Sequence, residues 1–213
     1  MNKKGVIFDL DGTLINSMKV WENADWQLAE RYNFTPDKDY WDIVTSCSFL
    51  EGAEYITNRF ELGKTPQEIA DELYAMALFE YENNIMLKSG AKKLVKKLKK
   101  DGFSIAVATS NIEEMTHAVL RNNGIFNYFD AFAYCDRVGK NKAFPDVYVA
   151  AAEAMKLNAC ECYVIEDVPY ALEGAKQAGA EVIGVFDEYS ASKEHEMRKK
   201  ADRYIMSLEE FEY

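Results

Sequence analysis

From Ser89 onward the chain alternates helical and strand patterns: helix in GAKKLVKKLKKDG, strand in FSIAVAT, helix in NIEEMTHAVLRNNG, strand in AFAYC, helix in PDVYVAAAEAMKL, strand in CYVIED, helix in ALEGAKQAG and strand in EVIGVF. That order constrains the fold more than any other feature, because strands separated by helices assemble into a parallel sheet with helices on both faces. The expected fold is therefore a doubly wound α/β domain. Gly102, Gly124 and Gly179 each follow a helical pattern, where a C-terminal cap belongs. Near the N-terminus Val6, Ile7 and Phe8 form a short β-branched and aromatic run bounded by turn residues, which reads as a further buried strand of the same sheet.

Between Asn16 and Leu87 strand signals nearly vanish, and KVWENADWQLAERYNF, SFLEGAEYITNRFEL and TPQEIADELYAMALFEYENN read as amphipathic helices. Thr65, followed by Pro66 and Glu68, marks the start of the last of these. The chain thus divides into an α/β core, residues 1–15 and 88–213, and an inserted helical cap, residues 16–87, about 70 residues long and able to bury a small core of its own. At 213 residues there is material for both.

Charge and cysteine content narrow the functional classes. The net charge of −11 argues against nonspecific binding to nucleic acid or to an anionic membrane, since both depend on basic patches. The basic stretch AKKLVKKLKK carries Leu94, Val95 and Leu98 at helical spacing, so its lysines form the solvated face of a packed helix. No stretch approaches the roughly 20 apolar residues of a membrane span, and the N-terminal apolar run is broken by Asp9 before a signal peptide could form. Cys47, Cys135, Cys160 and Cys162 lack zinc-site spacing and are too few for a disulfide framework, which fits a reduced, cytoplasmic setting. His117 and His195 sit in helical or charged contexts and read as structural.

In open α/β sheets ligands bind beyond the carboxyl ends of the strands. The first strand delivers Asp9 and Asp11 there, FSIAVATSN delivers Thr109, Ser110 and Asn111, and CYVIED delivers Glu166 and Asp167, with Gly12 and Gly139 in adjoining loops. Single acidic residues at strand ends are often helix caps. Four at one edge would repel one another without a counter-ion, and an oxygen-rich set of this kind suits a hard divalent cation such as Mg²⁺ with a phosphate.

These segments resemble the motifs of the haloacid dehalogenase superfamily, in its branch of β-phosphoglucomutase-like phosphatases with a helical cap: FDLDGTL the first, VATSN the second, KAFPDVY the third and VIEDV the fourth. The resemblance implies a Rossmann-like core and a Mg²⁺-dependent phosphatase acting on a small phosphorylated metabolite. Asp9 would be the nucleophile that forms an aspartyl phosphate, and Asp11 the general acid and base, its backbone carbonyl also binding Mg²⁺. Thr109 and Ser110, with Asn111 assisting, would hold the phosphoryl oxygens. Lys142 would offset the negative charge of Asp9 and phosphate, Lys140 being its near competitor. Asp9, Asp11, Glu166 and Asp167 would form the metal site. Ala143, Asn16 and Val168 depart from the family pattern, where proline, aspartate and serine are common; none is a reacting group.

Two alternatives accompany this reading. A sugar-phosphate mutase needs cationic cap residues for a second phosphate, yet WDIVTSCSFLEGAEYI contains no Lys or Arg, and Trp21 and Phe49 stand where mutases tend to carry histidine and arginine. A non-catalytic phosphate-binding module would have lost Asp9 or Asp11, and both are present. Trp21, Trp26, Trp41 and Phe49 are candidates for an apolar specificity surface or for the cap's core. The expected assembly is a monomer or weak homodimer.

Overall fold

In the computed structural model, residues 3–44 and 49–213 are described, except for the side chains of Asp42 and Phe49. Cys47 and the Phe49 side chain therefore lie outside the described residues. The chain divides into two compact units, one comprising Met1–Ser17 with Ile85–Tyr213 and the other Met18–Asn84.

The first unit is built on six parallel strands among the described residues: β1 (Gly5–Phe8), β2 (Ser104–Thr109), β3 (Ala131–Tyr134), β4 (Cys162–Glu166), β5 (Glu181–Val185) and β6 (Arg203–Ile205), in the order β3-β2-β1-β4-β5-β6. Strand β1 is fully buried and central, pairing Phe8 with Val107 on one side and with Ile165 on the other. Because the order reverses direction beside β1, the loops after β1 and β4 diverge and leave the crevice in which such sheets bind ligands. The three-residue β6 has no counterpart in the sequence pattern, since RYI is too short to show a period, and among the described residues it pairs with β5 alone.

The second unit contributes helices α1 (Met18–Tyr32), α2 (Lys38–Val44), α3 (Phe49–Phe60) and α4 (Pro66–Asn83). In the first unit follow α5 (Ala91–Lys100), α6 (Glu113–Asn122), α7 (Cys135–Val138), α8 (Asp146–Ala154), α9 (Pro169–Gln177) and α10 (Glu194–Lys200). One face of the sheet, with Ile7, Ala106, Ala108, Val164 and Val182, packs on Val147, Tyr148 and Ala151 of α8, Leu172 and Ala175 of α9 and Met197 of α10. Helix α5 packs on β2 through its buried Leu94, Val95 and Leu98, and its lysines face outward as the sequence pattern requires. Cys135 and Cys162 are buried free thiols and Cys160 is exposed. The His117 ring lies edge-on to Phe126 and Phe132, its Nε2 3.1 Å from the Tyr134 hydroxyl.

Helix α4 starts on a reciprocal cap: the Glu68 N–H donates to the Thr65 hydroxyl and the Thr65 N–H to the Glu68 carboxylate, at 3.2 and 2.8 Å. The core of this unit gathers Ala24, Leu28, Tyr40, Ala53, Ile56 and Ile69, with Trp41 packed against it. Trp26 is 46% exposed, its ring centroid 5.8 Å from that of Trp41, and Trp21 is half-buried. Tyr40, wholly buried, donates its hydroxyl to Asp25 Oδ1 at 2.7 Å.

Burial pushes the Asp25 carboxyl up to about 6, and the Tyr40 hydrogen bond opposes the rise only in part. A folded-state value above the unfolded one means that the native state holds this proton more tightly, so stability from this group is present at low pH and is lost as pH rises through about 6. Asp25→Asn is therefore expected to unfold at a higher denaturant concentration than the wild type at pH 7.5, by about 1–2 kcal/mol. The advantage should shrink as pH falls toward 4; the difference between the two denaturation curves, measured across that range, checks it.

Candidate active site

Strand β1 ends at Phe8, whose ring is buried, and the next residue is Asp9, 5% exposed, whose N–H donates to the Ile165 carbonyl at 3.0 Å. The parallel register that pairs Phe8 with Ile165 thus sets Asp9 beside the end of β4, where Glu166 and Asp167 are both buried. Ligand oxygens of Asp9, Glu166 and Asp167 all lie within 4.8 Å of one another.

One ammonium enters this group. Lys142 Nζ donates to Asp9 Oδ1 and, at 2.7 Å, to Glu166 Oε1, which also accepts the Tyr148 hydroxyl at 2.8 Å. Lys140, the sequence competitor, is exposed and pairs with Asp146 at 3.2 Å. Burial alone would lower the Lys142 pKa, but Asp9 and Glu166 together raise it above the ordinary lysine value, so it is an ammonium throughout the physiological range. Burial also pushes Glu166 up to about 7, with the Asp9 charge adding and Lys142 and Tyr148 opposing. Asp167 is likewise raised by burial and by the charges of Asp9 and Glu166.

Among the described residues Lys142 pairs with two of the three acids, and Asp9 Oδ2 and Glu166 Oε2 are buried without a hydrogen-bond partner. Leaving a buried carboxylate oxygen unpaired is costly, and an all-oxygen donor set short of positive charge fits a hard divalent cation.

Asp11 is held on both carboxylate oxygens. Its Oδ1 accepts from the Ser17 hydroxyl at 2.6 Å and its Oδ2 from Asn111 Nδ2 at 3.0 Å. The Asn111 side chain is thus turned onto Asp11, while its N–H donates to Thr109 Oγ1 at 2.9 Å. Thr109 is buried at the end of β2, and the Ser110 hydroxyl, on a more exposed residue, donates to Cys135 Sγ at 3.5 Å. Between the two aspartates' strand and Asp167 runs a tight turn: Gly12 has φ +89°, and a Cβ on it would lie 2.5 Å from Asp167 Oδ2. The Thr13 hydroxyl donates to Asp167 Oδ1 at 3.2 Å.

Thr13, Ser17, Tyr148 and Gly174 went unremarked at the sequence level. Tyr148 offered a signal, a hydroxyl on the apolar face of PDVYVAAAEAM, since a buried tyrosine must place its hydroxyl on a partner. Gly174 gave none, since nothing in α9 calls for a glycine. In space a Cβ there would overlap the carbonyl oxygen of Lys142 and lie 2.8 Å from that of Phe144, so the glycine is what lets the Lys142 loop lie against the helix.

A family model described as haloacid dehalogenase-like hydrolase matches residues 6–185. The chain belongs to this family. Hexitol phosphatase A of Escherichia coli (strain K12) is 31% identical over 189 residues, spanning 87% of this chain and 84% of that protein. A fructose-1-phosphate phosphatase of the same organism is 24% identical over 184 residues, 85% of this chain and 95% of that protein. Among solved structures, β-phosphoglucomutase from Clostridium difficile matches with a TM-score of 0.76 at 20% identity, over 99% of this chain and 94% of that one. CbbY from Rhodobacter sphaeroides in complex with phosphate matches with a TM-score of 0.78 at 24% identity, over 98% and 96%. At those identities the structures establish the family fold.

Within this haloacid dehalogenase-like core, Gly174→Ala sets two effects against each other. Helix propensity favours alanine by about 1 kcal/mol, and overpacking against backbone atoms costs about 1–3 kcal/mol. The overlap involves backbone carbonyls rather than a flexible side chain, so the second effect wins. The variant is expected to lose about 1–2 kcal/mol of stability, read from the urea midpoint at constant slope.

Proposed function

We propose that this chain is a Mg²⁺-dependent phosphatase that hydrolyses the phosphate monoester of a small, sugar-like metabolite through an aspartyl phosphate on Asp9. The observation that carries the reading is the division of labour between two carboxylates two residues apart. Asp9 belongs to the buried cluster with Lys142, Glu166 and Asp167, and the Asp11 carboxylate is held separately on each oxygen, by Ser17 and by Asn111. Attack on phosphorus and proton transfer to the leaving oxygen need two separate carboxyl groups, each fixed in place. The phosphatase names of the relatives support the same class.

In this reading Asp9 attacks phosphorus and the ester oxygen leaves with the proton that Asp11 supplies; Asp11 then takes a proton from the water that cleaves the aspartyl phosphate. Lys142 holds Asp9 in place and offsets charge as two anions approach. Thr109 and the Ser110 N–H receive the phosphoryl oxygens, and Asn111 orients Asp11. Asp9, Asp167 and the Asp11 carbonyl, with Glu166 beside them, would hold Mg²⁺, which supplies charge neutralisation for the phosphoryl group. The helical segment, residues 16–87, acts as the cap that selects the substrate. No helix among the described residues is long and apolar enough to cross a membrane. The sparse cysteines, of which Cys135, Cys160 and Cys162 are free thiols, support a reduced, cytoplasmic setting.

Asp9→Asn is expected to abolish phosphate release from p-nitrophenyl phosphate in Mg²⁺. Asp11→Asn should instead give a burst of about one equivalent of p-nitrophenol, because that leaving group needs no proton, and then stall with phosphate on Asp9. Rapid-quench kinetics and intact mass would show it; steady turnover by Asp11→Asn, with no phosphoenzyme, would overturn the role of Asp11. Incubation with a hexose 1-phosphate and a bisphosphate primer should release phosphate faster than it isomerises the sugar. The reverse order would make the enzyme a mutase.

A further inference from the structure

Lys88 is a part-buried cation outside the machinery described so far, and its position in the sheet explains where its three donors go. Its Nζ donates to the Gly12 carbonyl at 2.6 Å, to the Phe186 carbonyl at 3.0 Å and to Asp187 Oδ2 at 2.7 Å. An ammonium has three protons, and here each has an acceptor. Asp187 is 4% exposed and is fixed in turn, its Oδ1 accepting from the Tyr189 N–H at 2.9 Å.

Gly12 follows β1, and Phe186 and Asp187 follow β5; in the sheet β4 runs between these two strands, and Asp167 follows β4. Lys88 therefore ties together the loops that flank Asp167. The Gly12–Thr13 turn touches Asp167 on its other side, through the close approach of Gly12 and the 3.2 Å bond from Thr13. Lys88 itself is anchored by its backbone, whose N–H donates to the Leu14 carbonyl at 2.9 Å, next to the antiparallel bridge between Ile15 and Leu87. An ion pair with Asp187 alone would satisfy the charge. The contact with the Gly12 carbonyl is what gives Lys88 hold of the turn, and the one with Phe186 ties it to the loop after β5.

We propose that Lys88 is a positioning residue that fixes the Gly12–Thr13 turn against Asp167 and so sets the affinity of the acidic cluster for its divalent cation. The proposal rests on the reading that Asp9 and Asp167 hold Mg²⁺. Residues that orient ligands from outside a metal site typically change affinity by about 10–100-fold when replaced.

The test is Mg²⁺ titration of the full chain by isothermal calorimetry, with the Mg²⁺ dependence of p-nitrophenyl phosphate hydrolysis alongside. Lys88→Met is expected to weaken Mg²⁺ binding about 10-fold, with a much smaller change in kcat at saturating Mg²⁺, and Lys88→Arg should recover most of the affinity. Lys88→Met leaves Asp187 buried and unpaired, which endangers folding, so the double variant Lys88→Met/Asp187→Asn is the deciding one. It should remain about 10-fold weaker than the wild type. Wild-type Mg²⁺ affinity in the double variant would reduce Lys88 to a partner for Asp187 and overturn the proposal alone. Failure of the wild type to bind Mg²⁺ at all would overturn the cation reading, and this proposal with it.

Discussion

The buried ammonium of Lys142 is the interaction on which the site depends. Asp9 and Glu166 follow from the fold: a central strand and its neighbour run in register, and both end in carboxylates. In low dielectric two such charges at hydrogen-bond range of a common point repel strongly, and only a cation held between them makes the arrangement tolerable. Lys142 supplies it, on a loop whose path is possible because Gly174 has no side chain in its way. Helix α9, the Lys142 loop and the ends of β1 and β4 are thereby one unit of packing, and the site is its polar edge.

That compensation is incomplete: Lys142 reaches one oxygen each of Asp9 and Glu166, and Asp9 Oδ2 and Glu166 Oε2 stay buried and unpartnered. A structural ion-pair network would satisfy such atoms from within the protein, as Tyr148 does for the other oxygen of Glu166. Phosphoryl transfer consists largely of positioning and charge neutralisation, and buried acidic oxygens left unpartnered at the ends of β1 and β4 suit that chemistry.

What could be read from the sequence was the order of elements and the residues delivered to the sheet's carboxyl edge, because both follow from periodicity and from the end of each apolar run. Helices α4 and α5 illustrate it, one announced by Thr65 and Glu68 and the other by Leu94, Val95 and Leu98. Helix α2 and strand β6 escaped, being too short to display a period. Which way a polar side chain turns was not legible. Asn111 lies in the loop that faces phosphate in the family motif, yet its amide reaches Asp11, and spacing along the chain says nothing of that rotamer. Lys88 is further out of reach, since its three partners lie 76, 98 and 99 residues away.

The stretch from Asp9 to Ser17 shows how little chain this chemistry occupies and how much of the fold it borrows. Asp9 takes Lys142 from the loop before α8, Asp11 accepts from Asn111 after β2, Gly12 lends its carbonyl to Lys88, and Thr13 reaches Asp167 after β4. Each of these contacts comes from a different segment, so no single loop can drift without pulling on another. Precise placement of two carboxylates therefore does not depend on the stiffness of the loop that carries them. It comes from cross-links to four separate strand ends and linkers.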